Sequence, residues 1–283
     1  MDAMVEDCTK ILSELGLSRS TIGLAGYAPE RGIEWPLRQA LGGATFVEAN
    51  WIIDDQRRVK SEAELQLCAK SAEIANTAYD ASLNAVCEGL WEPKLVSIAE
   101  NAMREGGAEA AHVHFGVLKG SKRYHVPFER EMSRGDVYIL EIIPRYKGYV
   151  TETVGTFAVG EASNELQELY DDARQAYEGV AELVEPNRTT IGTLVNSVTQ
   201  SLRKMRYKES GWFRLGHGMG LDNLEKPDSL IEGNQEIIKP GNMLAIHPYF
   251  EVTGWTQMIW GGTYIMERDR AVPYAKAEPR FKV

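Results

Sequence analysis

The sequence predicts an α+β fold: a mostly antiparallel sheet packed with helices, preceded by a short α/β piece. Three observations carry this expectation. Strand-type patterning gathers into two blocks, residues 111–160 and 242–268, instead of alternating regularly with helices. Two helical stretches separate the blocks, and a long one precedes the first. The N-terminal residues, by contrast, alternate in a β-α-β manner. The expected domains are 1–57, a short N-terminal α/β domain, and 58–283, the large domain.

Taken in order, residues 5–16 read as a short helix ending near Gly16. STIGLAGY (20–27) reads as a strand, PLRQALGG (36–43) as a helix stopped by glycines, and TFVEANWII (45–53) as a second strand. A long helix then opens at Ser61. Glu64 three residues later completes a capping-box pattern, and apolar residues recur at helical spacing beyond it. A further helix is expected over 94–105. HVHFGVL, DVYILEII and GYVTETVGTFAV are strand patterns set apart by glycine and proline signals. Helices over 163–184 and 190–206 follow, then strands in NMLAIHPYF, near WTQMIW and in GTYIMER.

The 283 residues, 43% hydrophobic and 25% charged, suffice for a sizeable core. A net charge of −10 argues against general affinity for nucleic acid or an anionic membrane. No apolar run approaches the roughly 20 residues of a membrane span. The acidic, amphipathic start MDAMVEDCTKILSELGL is unlike a secretory signal or a transit peptide. Three cysteines (Cys8, Cys68 and Cys87), odd in number and without metal-type spacing, fit a reducing compartment. A cytoplasmic protein with no nucleic-acid or membrane partner is expected.

The chemistry concentrates in a few places. In EIIPRYKGYVTE (141–152), a hairpin centred between Tyr146 and Lys147 would set Glu141 directly across from Glu152. Facing like charges destabilise a strand pair unless a cation or a shared proton lies between them. Glu141 is also the only charge in VYILEII, and a carboxylate buried in so apolar a strand needs a partner. The five histidines are His112, His114, His125, His217 and His247. His217 lies in LGHGMG, where glycines permit close approach of backbone and ligand. His247 ends the apolar strand that follows the Pro-Gly turn of KPGNMLAIHP. Either histidine alone reads more readily as a satisfied core residue than as a ligand.

Several stretches together resemble the family of creatinase, aminopeptidase P, prolidase and methionine aminopeptidase. They are KGYVTETVGTFAVG, RLGHGMGLDNLEKP, IIKPGNMLAIHPYF and GGTYIMERDRAV, preceded by VEANWIIDDQRRVKSEAELQLCAKSAEIAN, which is similar to that family's linker. The resemblance implies a pita-bread catalytic domain and the tail of an N-terminal domain. It also implies a homodimer in which that domain closes the partner's site. The family's peptidases hold two metals with two Asp, one His and two Glu. Those positions fall on Glu141, Glu152, His217, His247 and Gly261, so one ligand of five is unchanged. The arginine of the family's Thr-Arg-Thr motif falls on Gly155, and the histidine after GHGxG on Leu224. Its upstream histidine near the substrate is matched by His125 in RYHVPFE.

Without a bridging acid at Gly261, two ions about 3.5 Å apart would repel each other strongly. One divalent metal, Fe(II), Zn or Mn, is therefore expected on Glu152, His217 and His247. That is the two-imidazole, one-carboxylate set of a facial triad. Glu141, as a fourth ligand or a general base, and His125 are the expected catalytic groups. Tyr249, Trp260 and Arg145 are the expected contacts of a small amino-acid-derived substrate, and Trp212, Trp255, Arg123 and Tyr124 are further candidates. Hydrolytic, lyase and, with Fe(II), oxidative reactions all remain open, and no organic cofactor is indicated. Two alternatives stand beside this reading. One is metal-free, creatinase-like C–N hydrolysis with His and Glu as acid and base. The other is a pseudo-peptidase kept for binding.

Overall fold

The computed structural model describes residues 2–26, 34–118, 127, 129–203, 215–252 and 256–283. It divides into two compact units, 1–57 and 58–283. The first contains α1 (Asp2–Glu14), β1 (Thr21–Leu24), α2 (Glu34–Ala40) and β2 (Thr45–Glu48). β1 and β2 pair in parallel, and Val5, Leu37, Leu41 and Phe46 form a small core. The strand expected to run to Ile53 stops at Glu48, and α3 (Asn50–Arg58) begins there. Trp51, Ile52 and Ile53 are exposed on this helix. A short apolar run such as WII does not separate strand from helix by periodicity, which explains the difference.

The large unit begins with α4 (Glu62–Ala85), capped as expected: Ser61 Oγ accepts from Glu64 N–H, and Glu64 Oε2 accepts from Ser61 N–H at 2.7 Å. α5 (Glu92–Glu105) leads into β3 (Ala110–Val117), β4 (Val137–Tyr146), β5 (Tyr149–Val150) and β6 (Thr153–Ala158). The helix expected over 163–184 breaks at Gly179 into α6 (Asn164–Glu178) and α7 (Val180–Leu183). α8 (Ile191–Arg203) follows, then β7 (Gly216–Gly218), β8 (Met243–Ile246), β9 (Tyr249–Val252), β10 (Thr256–Met266) and β11 (Ala271–Pro273). WTQMIW and GTYIMER, expected as two strands, contribute to the single strand β10.

These strands form one antiparallel sheet with the path β3-β4-β6-β10-β8-β7; β5 pairs with β4, and β9 and β11 pair with β10. The main core, rich in side chains from α4, α5, α6, α8, β4, β6 and β10, is apolar and aromatic, with Tyr138 stacked between Phe115 and Phe157. α+β is therefore the observed class, with the sheet antiparallel throughout the large unit.

The hairpin register differs from the expected one. Tyr146 pairs with Tyr149 and Arg145 with Val150, so the turn is Lys147-Gly148, centred one residue later than expected. Both turn residues have positive φ, 47° and 89°, as the type I′ turns favoured in hairpins require. Glu141 consequently faces Val154, and Glu152 lies two residues away along that strand. The two acids are offset neighbours, not a directly facing pair.

Candidate metal centre

Three strand ends supply the site. β7 is GHG: a Cβ at Gly216 would stand 1.9 Å from the Ala245 carbonyl oxygen, so only glycine lets β7 approach β8 this closely. His217, paired with Ala245, is the one side chain on that strand. Its Nδ1 lies 3.0 Å from the Gly218 carbonyl oxygen. A carbonyl only accepts, so Nδ1 carries the proton and Nε2 offers a lone pair. His247 leaves the end of β8, its N–H donating to Leu215 O at 3.0 Å. Glu152 sits between β5 and β6, where Thr263 of β10 grips its backbone. The Glu152 N–H donates to Thr263 Oγ1 at 2.9 Å, and Thr263 N–H returns a bond to Glu152 O at 3.0 Å.

The ligand-capable atoms of Glu152, His217 and His247 all lie within 4.8 Å of one another. His247 Nε2 is 3.6 Å from Glu152 Oε1, and His217 Nε2 is 3.9 Å from Oε2. Donors about 2.1 Å from a tetrahedral ion stand about 3.4 Å apart, so slight contraction brings these three onto one ion. Glu152 is 1% exposed and His217 3%, which keeps water from competing for their positions. Among the described residues, this is the one group of three or more His, Cys, Asp and Glu side chains so placed.

A second ion has no bridge. Gly261, where the family resemblance places the bridging acid, has no room for any side chain. Its Cβ would be 2.3 Å from Ile246 O and 2.5 Å from His247 Cα. The space above Gly155 is also filled, with a Cβ there falling 2.2 Å from Tyr79 Oη and 2.7 Å from Trp260. Leu224, at the position of the family's later histidine, is exposed.

Other expected site residues stand elsewhere. Glu141 does not join the three-residue group; its Oε2 is 3.2 Å from His114 Nδ1 on the neighbouring strand. Trp260, expected beside the substrate, is buried and meets Tyr79 and Tyr170 edge-on, both centroids at 5.9 Å. It neighbours Gly261 on a strand, so it points to the opposite face, into the core. Arg145, expected to hold a carboxylate, donates from Nη1 to the carbonyls of Gly148 at 2.8 Å and Leu221 at 2.5 Å, tying the hairpin tip to the loop after β7. Tyr249 opens β9 opposite Ile259 and packs partly buried against the main core. His125, Arg123, Tyr124, Trp212 and Trp255 lie outside the described residues.

Sequence reasoning passed over the His112–His114 pair, although the two-residue spacing on a strand puts both side chains on one face. Their Nε2 atoms are 2.8 Å apart. The hydrogen bond to Glu141 raises the His114 pKa above that of an ordinary histidine, against the opposing effect of burial. Burial and then the charge of His114 lower that of His112. A raised folded pKa means that the charged His114 stabilises the fold below the ordinary value of about 6.5, and that this stabilisation is lost as pH rises through the raised value. In an NMR titration of metal-free protein, His114 is expected to deprotonate at higher pH than His112. The reverse order would mean that the Glu141–His114 contact is not kept in solution.

The profile of metallopeptidase family M24 matches residues 66–270, most of the chain. The chain belongs to metallopeptidase family M24. Among M24 relatives, the Xaa-Pro dipeptidase of Pyrococcus furiosus is 23% identical over 238 residues, covering 83% of this chain and 68% of that protein. The Xaa-Pro dipeptidase of Pyrococcus horikoshii is 25% identical over 231 residues, covering 81% and 65%. The chain thus spans about two thirds of the length of these relatives. Among solved structures, an Xaa-Pro dipeptidase from Bacillus anthracis superposes with a TM-score of 0.87 at 21% identity, covering 99% of this chain and 78% of that one. An X-Pro aminopeptidase from Thermotoga maritima gives 0.86 at 20% identity, covering 99% and 80%. The M24 fold is therefore the pita-bread fold that the resemblance implied. Among the described residues, no helix is long and apolar enough to cross a membrane.

Proposed function

We propose that this M24 protein holds a single divalent metal on Glu152, His217 and His247 and hydrolyses a small amino-acid-derived substrate. The observation that carries the proposal is the closed space at Gly261 beside an intact three-donor group. Two imidazoles and a carboxylate suit Zn, Mn and Fe(II) alike. A divalent ion held there supplies a Lewis acid and lowers the pKa of water toward neutrality.

The protein's own groups do the rest. Proton donation from His217 Nδ1 to Gly218 O keeps Nε2 aimed inward, as backbone-anchored metal histidines generally are. Thr263 holds the Glu152 backbone so that the carboxylate needs little reorganisation. Glu141 is the acid/base group: buried on β4 with His114 beside it, its carboxylate accepts a proton from the attacking water and passes it to the amine that leaves as the C–N bond breaks.

Metal content of protein purified without chelator tests this reading. The expected result is about one equivalent retained, lost in Glu152→Gln, His217→Ala and His247→Ala while the variants keep their circular dichroism. Protein that retains no metal, or that retains it equally in the three variants, would overturn the proposal and leave metal-free catalysis or a binding role. Glu141→Gln is expected to keep the metal and lower kcat by a factor of 10² or more, the usual contribution of a general acid/base.

A further inference from the structure

His112 and His114 are two of the chain's five histidines, and the centre described above uses neither. They lie at alternate positions of β3, which forms one end of the sheet path. Their Nε2 atoms converge to 2.8 Å, with the rings nearly perpendicular at 83°. Two ligands about 2.1 Å from one ion and at right angles to it stand about 3.0 Å apart. The His114 ring is held at its other nitrogen by Glu141, whose Oε2 lies 3.2 Å from Nδ1. With the Nδ1 proton committed to that carboxylate, His114 Nε2 is a lone pair. This is the carboxylate–histidine arrangement that orients metal-ligating imidazoles elsewhere. In the metal-free pair His112 Nε2–H donates to His114 Nε2, and moving that proton to His112 Nδ1 presents a second lone pair to an ion. Burial and the charge of His114 disfavour a protonated His112, against the opposing pull of Glu141 and Glu100, which keeps its ring neutral and able to ligate. The His114 side chain is 38% exposed, so an ion reaches the pair from solvent and keeps water in its remaining positions.

We infer that His112 and His114 form a second, exchangeable transition-metal site, with Glu141 as its orienting carboxylate. The inference is independent of the Glu152 centre.

Calorimetric titration with Ni²⁺ tests it, using protein as purified, His112→Asn, His114→Asn, the double variant, Glu141→Gln and Glu152→Gln. Nickel favours imidazole donors and reports the site without assuming its physiological metal. The expected result is one micromolar equivalent that weakens at least tenfold in each histidine variant and disappears in the double variant. It weakens about tenfold in Glu141→Gln, within the 10–100-fold range of such orienting groups. Glu152→Gln retains it, which separates this site from the proposed catalytic one. Thermal melts of the histidine variants within a few degrees of the parent establish that folding is intact. No such equivalent in the parent, or the same isotherm in the double variant, would overturn the inference. The pair would then be only a hydrogen-bonded edge.

Discussion

Gly261→Ala destabilises the protein by about 3 kcal/mol or more, at the upper end of overpacking costs. The added Cβ meets Ile246 O at 2.3 Å and His247 Cα at 2.5 Å, and these are backbone atoms that no rotamer change removes. β10 and β8 are hydrogen-bonded neighbours here, with Gly262 opposite Ile246, so relief requires separating two strands in the middle of the sheet. The same contacts bear on the chemistry. Gly261→Glu, alone or with His247→Glu, is expected not to restore a two-metal centre, although it returns the family's acids in name. The backbone of β8 closes the space whatever side chain stands at 247. Urea unfolding of Gly261→Ala checks the first expectation, and a loss under 0.5 kcal/mol would contradict it. Metal content of the double variant checks the second, with two retained equivalents as the contrary result.

Lys60→Ala costs about 3–5 kcal/mol, the usual penalty for removing one partner of a buried ion pair. Lys60 Nζ is 3.0 Å from Glu225 Oε2, with side chains only 3% and 5% exposed. The other oxygen, Oε1, accepts the N–H groups of Leu221 at 2.7 Å and Asp222 at 3.1 Å. Those residues follow directly on His217-Gly218-Met219-Gly220, so the pair anchors the loop that leaves β7 just after the candidate metal histidine His217. Lys60→Ala is therefore expected to weaken metal retention as well as stability. Lys60→Met with Glu225→Leu recovers most of the stability, because no charge is left buried. A double variant as unstable as Lys60→Ala would show that the carboxylate's bonds to the loop, not the ion pair, carry the effect.

Much of the site was legible in residue types and order. GHG, a histidine closing an apolar strand and an acid at the end of a hairpin are local patterns, and local patterns survive without coordinates. The hairpin register was harder for a definite reason. The expected and observed registers differ by two residues, which preserves the side-chain alternation and leaves the hydrophobic pattern unchanged. Only the turn distinguishes them, and Lys147-Gly148 wins because both turn residues take positive φ. Trp260 was misplaced because aromatic residues near a motif read as a wall; its neighbour Gly261 occupies the site-facing position and turns Trp260 into the core. Arg145 reaches backbone carbonyls of its own hairpin and of the loop after β7, contacts that a lone arginine in a sequence does not reveal.

The sequence by itself determined the α+β class, the family and the three candidate donors Glu152, His217 and His247, which the fold brings together, because each rests on residue identity and spacing along the chain. Only the tertiary structure decided that Glu141 pairs with His114 and is not one of the three convergent donors. Only the tertiary structure decided that Gly261 is closed by backbone and that His112 and His114 converge. These are distances between strands, set by how closely neighbouring backbones approach in the folded sheet.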